Sequence, residues 1–192
     1  MKKLLIMLLF FTGIASSDTT IYLVRHAEKI IEKDKINPEL TQIGLFRAQN
    51  IAKQLSSAGV TKIFSTNYKR TMQTAQPLAD YQGIEITQYD PSKLEEFAQE
   101  LKQIQGVVLV VGHSNTTPQL TQFLSNQDIN AIEENEYDNV YQVIITEHMT
   151  IVNRLKSIPS YALNKPAMRI KVKKTYTPEE MAPILEKINE NK

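Results

Sequence analysis

Apolar and polar positions alternate between short β-rich runs and amphipathic stretches over most of the chain. Residues 20–24 (Thr-Ile-Tyr-Leu-Val) are apolar and β-rich between polar neighbours, which predicts a strand. Across 41–57, Ala48, Ile51, Ala52 and Leu55 recur at helical spacing on one face, and Gly59 marks the stop. Residues 62–65 predict a second strand, 68–80 a second helix, 83–86 a third strand and 92–104 a third helix. The clearest strand is 106–112, where five consecutive apolar residues between two glycines imply burial on both faces, as at the centre of a parallel sheet. A helix is expected over 118–125, with Thr117 as its cap and Pro118 at its first position.

The last third is less regular. Residues 141–146 and 150–155 suit a hairpin, and 168–172 another strand. Thr177-Pro178-Glu179-Glu180 combines a cap, a first-turn proline and a capping-box glutamate, and opens a helix through Ile188. Strands alternating with helices imply an α/β fold, a three-layer α/β/α sandwich around a mostly parallel sheet.

The first 17 residues read differently. A basic start, Lys2-Lys3, precedes the apolar run 4–14, and Ala15-Ser16-Ser17 supplies small residues before Asp18. This is the layout of a cleaved signal peptide, and the run is shorter than the ~20 residues of a membrane span. The expected organisation is a signal peptide over 1–17 and a single domain over 18–192, with 160–192 as a strand-and-helix appendage. The expected location is periplasmic or secreted, with no membrane span after cleavage. Losing Lys2 and Lys3 takes the formal net charge from +1 to −1, so no strong positive field invites nucleic acid. The absence of cysteine excludes disulfides, thiolate metal sites and cysteine nucleophiles, and three histidines are few for a metal cage.

Two of those histidines occupy informative places. Arg25-His26 follows the 20–24 strand directly, and His113 follows the 106–112 strand. Ligands of open α/β sheets bind beyond the carboxyl ends of strands. Ser114-Asn115-Thr116 then enters a helix, whose N-terminus favours an anion. Arg70, after the 62–65 strand, can reach the same edge. Two arginines, two imidazoles and a helix N-terminus suit a phosphoryl or carboxylate group. His148, in Glu147-His148-Met149, reads as an ordinary residue of a hairpin turn.

Four segments in order resemble the histidine phosphatase superfamily, with its phosphoglycerate-mutase-like fold. They are Leu23-Val24-Arg25-His26-Ala27-Glu28, Leu40-Thr41-Gln42-Ile43-Gly44 with Gln49, the 64–75 segment from Phe64 through Arg70 to Thr74-Ala75, and Val111-Gly112-His113-Ser114-Asn115-Thr116. The resemblance spans about residues 20–126. It implies that His26 is a nucleophile forming a phosphohistidine, and that Arg25, Arg70 and His113 hold the phosphoryl oxygens. It implies no metal or organic cofactor, the positive charge coming from the arginines and an imidazolium, and a small phosphorylated substrate. The implied activity is phosphomonoester hydrolysis. A phosphohistidine-protein phosphatase, a phosphoglycerate-type mutase and a non-catalytic phosphate-binding module remain as alternatives.

Ala27 stands where glycine is commoner, so its backbone should avoid a glycine-only conformation, and Asn67 stands where many members carry proline. The family's glutamate-bearing acid segment is not recognisable. Asp90, after the third strand and before Pro91, is the first candidate for general acid and Glu28 the second; a helix cap is the competing role for Asp90. Only 43 positions separate Arg70 from His113, too few for a closing lid, which favours hydrolysis over a mutase.

Overall fold

A computed structural model of the chain describes residues 18–32 and 36–157. The chain divides into two units, Met1–Ser160 and Tyr161–Lys192, and the described residues fall in the first. The expected signal peptide over 1–17, the strand over 168–172 and the helix over 177–188 lie outside them.

Six strands form one sheet in the order β3-β2-β4-β1-β5-β6. The parallel part comprises β1 (Thr19–Arg25), β2 (Val60–Ser65), β3 (Ile86–Gln88) and β4 (Gly106–Gly112). Two antiparallel strands, β5 (Asn139–Ile145) and β6 (Thr150–Lys156), extend it beyond β1 as the expected hairpin. The helices are α1 (Gln42–Leu55), α2 (Lys69–Gln82), α3 (Leu94–Lys102) and α4 (Thr116–Ser125).

The three layers follow from the side-chain period of two. On β4, Val108 and Val110 pack with Phe97 and Leu101 of α3 and Leu120 and Leu124 of α4. The intervening Leu109 and Val111 pack with Ile51 and Leu55 of α1 and Leu78 and Ala79 of α2 on the opposite face. A strand buried on both faces has no polar side to show, hence its unbroken apolar run.

Several boundaries shift for local reasons. Strand β3 starts at Ile86 rather than 83, because Gly83 caps α2 in the left-handed conformation with φ 66°. Helix α3 is shorter than 92–104, since Ser92 is engaged by Asp90 in a turn before it. Helix α4 starts before Pro118, with Asn115 in the cap position instead of Thr117. The Thr117 hydroxyl instead donates to the Val24 carbonyl, tying α4 to β1. His148 is exposed in the 146–149 hairpin turn, consistent with an ordinary surface role.

Candidate active site

Parallel pairing of β1 with β4 sets Arg25 opposite Gly112, so Arg25-His26 and His113 leave the sheet side by side. The ladder continues one step further, with His26 N–H donating to the Gly112 carbonyl at 2.9 Å. The two imidazoles meet edge to face with ring centroids 5.6 Å apart. Gly112 is required by space: a Cβ there would lie 2.9 Å from the hydroxyls of both Thr116 and Tyr89.

Around them lies an open cleft of about 430 Å³, lined by Arg25, His26, Lys29, Tyr68, Arg70 and His113, with Pro91, Ser92 and residues 114–116 at its edge. Thus four expected site residues, Arg25, His26, Arg70 and His113, come together. A cleft of about 610 Å³ between α3 and α4 adjoins it through Pro91 and Ser92.

His26 is buried and held by local contacts. Its Nδ1 lies 2.8 Å from the Ala27 carbonyl, which can only accept, so Nδ1 carries the proton and Nε2 keeps its lone pair. Burial lowers its pKa from 6.5 to about 3; the Ala27 bond opposes this, and Arg25, Arg70 and His113 add to it. His113 is lowered to about 4, first by burial and then by Arg70, Arg25 and Lys29. Both rings are therefore neutral at pH 7. With both rings neutral, the positive charge around them resides on the arginines and Lys29, and His113 offers a neutral donor and acceptor. Arg70 Nη2 donates to His113 Nδ1 at 3.4 Å, and His113 Nε2 lies 3.0 Å from the Thr66 hydroxyl.

The two arginines are held differently. Arg25 is 1% exposed, its Nη1 donating to the carbonyls of Glu133, Glu134 and Glu136 at 2.9–3.0 Å. Its guanidinium carbon stands 4.2 Å from the centre of the Tyr137 ring. Nη2 is 3.1 Å from the Glu134 carboxylate but lacks hydrogen-bond alignment, and Nε has no acceptor among the described residues. Arg70, the second residue of α2, stacks on Tyr68 at 4.5 Å, and its buried Nε likewise has no acceptor among the described residues. Buried donors without acceptors cost about 1–3 kcal/mol each, a cost that an oxyanion accepting from them would offset.

Helix α2 also supports the loop that carries His26. The Thr74 hydroxyl accepts from Ala27 N–H at 3.0 Å and donates to the Arg70 carbonyl at 2.7 Å. Ala27 keeps a negative φ, as expected for the residue standing in place of glycine. Gly44 of α1 lies so close to the Glu28 carbonyl that any Cβ would collide with it.

Neither expected general acid reaches the cleft wall. Asp90 is exposed and faces a neighbouring hollow with Thr87, Gln88 and Lys93. Its Oδ1 accepts from the Ser92 hydroxyl and backbone N–H at 2.7 and 2.9 Å, which holds its pKa below the ordinary value and makes it a poor proton donor. The tight turn before α3 accounts for this aspartate. Glu28 is paired by both carboxylate oxygens to Arg47, 2.7–3.1 Å away and itself buried. The geometry therefore corrects both assignments: Asp90 shapes a turn and Glu28 anchors α1 to the loop that carries His26.

Sequence reasoning passed over Arg47, Lys29, Tyr68, Tyr137 and Glu134. Arg47 left a readable signal, since it shares the buried face of α1 with Gly44, Ala48 and Ile51. Tyr137 and Glu134 sit in a stretch that reads only as a solvated charge run. Among the described residues, no group of three or more His, Cys, Asp or Glu side chains could hold a metal ion, and no helix is long and apolar enough to cross a membrane.

Known proteins resemble the chain on both sequence and fold. A 70-residue stretch is 37% identical to a protein named probable phosphoglycerate mutase GpmB from Yersinia pestis (strain Pestoides F), covering 33% of this chain and 32% of that protein. The chain thus spans about a third of the length of the curated relatives it matches. The structure of the protein histidine phosphatase SixA complexed with tungstate superposes with a TM-score of 0.61 at 16% identity, covering 75% of this chain and 99% of that one. Phosphoglycerate mutase from Bacillus anthracis str. Sterne gives 0.57 at 16% identity, with 77% and 96% covered. At such identities these likenesses establish the fold, which is phosphoglycerate-mutase-like. The histidine phosphatase superfamily (branch 1) matches residues 21–98, the stretch that carries Arg25, His26 and Arg70, and His113 stands at the neighbouring strand end.

Proposed function

We propose that the chain is a phosphatase that hydrolyses phosphomonoesters by double displacement at His26, without a metal ion. The observation that carries this reading is the state of His26: neutral, buried, with Nδ1 engaged and Nε2 left with its lone pair, in one cleft with the guanidinium groups of Arg25 and Arg70. The Nε2 lone pair attacks phosphorus, and an N–P bond forms as the P–O bond to the leaving group breaks. Water then breaks the N–P bond and releases inorganic phosphate. Arg25, Arg70 and His113 stabilise the charge on the equatorial oxygens, the task metal ions perform in other phosphoryl transfers. The 42 residues between Arg70 and His113 are taken up largely by the rest of α2, β3, α3 and β4, which favours an open, hydrolytic cleft over a mutase.

Incubation with a labelled phosphomonoester should give an acid-labile, base-stable phosphoenzyme. Turnover should survive EDTA and be inhibited by vanadate, and His26→Ala should abolish both labelling and turnover. Persistent turnover in a clean His26→Ala preparation would reject the mechanism.

A second reading, phosphohistidine on a protein, is favoured by two observations: among the described residues no Asp or Glu side chain lines the cleft, and an open hollow between α3 and α4 adjoins it. Release of histidine-bound phosphate without ester hydrolysis would select it. The working location proposed is periplasmic or secreted, supported by the basic, apolar and small-residue order of residues 1–17. N-terminal sequencing of exported protein should begin at Asp18; a start at Met1 would count against cleavage.

A further inference from the structure

Phosphomonoester hydrolysis at His26 needs a proton for the leaving oxygen, yet both carboxylates expected to supply it are committed elsewhere. A third carboxylate reaches two of the cleft's cations. The chain between α4 and β5 returns to the catalytic edge, because β5 runs antiparallel to β1 with Val140 opposite Val24. Residues 133–137 therefore arrive beside Arg25 and His26.

The main chain of this segment is fixed by Arg25 Nη1 through three carbonyls, and by the Tyr137 ring, which also lies 6.2 Å from the His26 ring. The Glu134 side chain is not needed for that attachment and is 72% exposed. Its two oxygens stand 3.1 Å from Arg25 Nη2 and 3.5 Å from Lys29 Nζ, and Arg25 and Lys29 both line the cleft. It is thus a solvent-accessible carboxylate on a fixed backbone, standing outside the residues that line the cleft but in contact with two cations of its wall.

We propose that Glu134 is the proton donor and acceptor of this reaction, an assignment that rests on the ester-hydrolysis reading above. The solvent-exposed carboxyl of Glu134 exchanges protons with bulk water before each turnover. As the bond from His26 Nε2 to phosphorus forms, the P–O bond breaks, its electron pair stays on the leaving oxygen, and the Glu134 carboxyl protonates that oxygen. The resulting carboxylate then takes a proton from the attacking water as the N–P bond breaks and Nε2 recovers its lone pair. Glu134 ends protonated again and the cycle closes.

The test compares wild type with Glu134→Gln on two esters, sn-glycerol 3-phosphate and p-nitrophenyl phosphate. An alkoxide needs the proton and p-nitrophenolate does not. Glu134→Gln should therefore lose about 10²-fold or more in kcat/KM on the glycerol ester, and only a few-fold on the nitrophenyl ester. The thermal midpoint should stay put, since the carbonyls hold the loop. Equal losses on both esters would assign Glu134 to holding Arg25 and Lys29 and overturn the proton-transfer role, as would no loss on either. A wild-type protein that hydrolyses neither ester overturns the phosphatase reading itself, and Glu134's role with it.

Discussion

Arg25 and Arg70 serve the same cleft from two differently built regions. Arg70 belongs to the parallel part: it follows β2, sits in the first turn of α2 and meets His113 from β4, all within α/β units whose strand ends converge. Arg25 leaves β1 on the side of the antiparallel addition, where three carbonyls from 133–136 and the Tyr137 ring enclose it. The first arginine is carried by a helix that would form without it. The second is part of what holds its region together. A guanidinium with one nitrogen committed to main-chain carbonyls is pre-oriented, and its remaining N–H groups are aimed without further loss of side-chain freedom.

The sharpest way to break this comparison is to remove each arginine in turn. Arg70→Ala should lower kcat/KM by about 10² or more with little change in thermal midpoint, because in the proposed mechanism it removes a contact to the transition state. Arg25→Ala should lower both, since three carbonyls lose their donor. Equal effects of the two variants on stability would erase the distinction; steady-state kinetics beside thermal melts decide it.

A smaller effect is expected inside the parallel part. Arg47→Ala strips Glu28 of its bidentate partner in a nearly buried pair, at a cost of about 3 kcal/mol. Urea unfolding measures it, and a loss under about 1 kcal/mol would mean that the pair behaves as a surface bridge.

The smallest effect concerns pH. His26 and His113 are lowered from 6.5 to about 3 and about 4, so below pH 6.5 the unfolded chain binds more protons than the folded one. Stability from these two groups is complete above pH 6.5 and is lost as pH falls toward 3–4. Urea midpoints at pH 5 and 7 should differ by less in His26→Gln than in wild type. Identical differences would show that His26 does not titrate abnormally.

Sequence patterning alone determined much of this protein. Apolar runs and helical periodicity mark the strands and helices of the described region, β3 only at its first residue, because a face buried against a sheet must be apolar wherever the chain runs. The positions of His26, Arg70 and His113 were equally legible, since a parallel sheet sends successive strand ends to one edge. Gly44 and Gly112 owe their identity to close approaches that a local sequence cannot display, though the motifs around them contain them.

What only the tertiary structure decided was pairing at long range. Glu28 and Asp90 look alike in the chain as carboxylates near the site, yet one meets Arg47 and the other closes a turn with Ser92. The clamp on Arg25 comes from residues 108 to 111 positions away and uses backbone carbonyls, which every residue carries, so composition holds no trace of it. Burial, which sets the charge state of both histidines, likewise depends on which elements close over them. Periodicity records which side of an element is covered; it does not record by what.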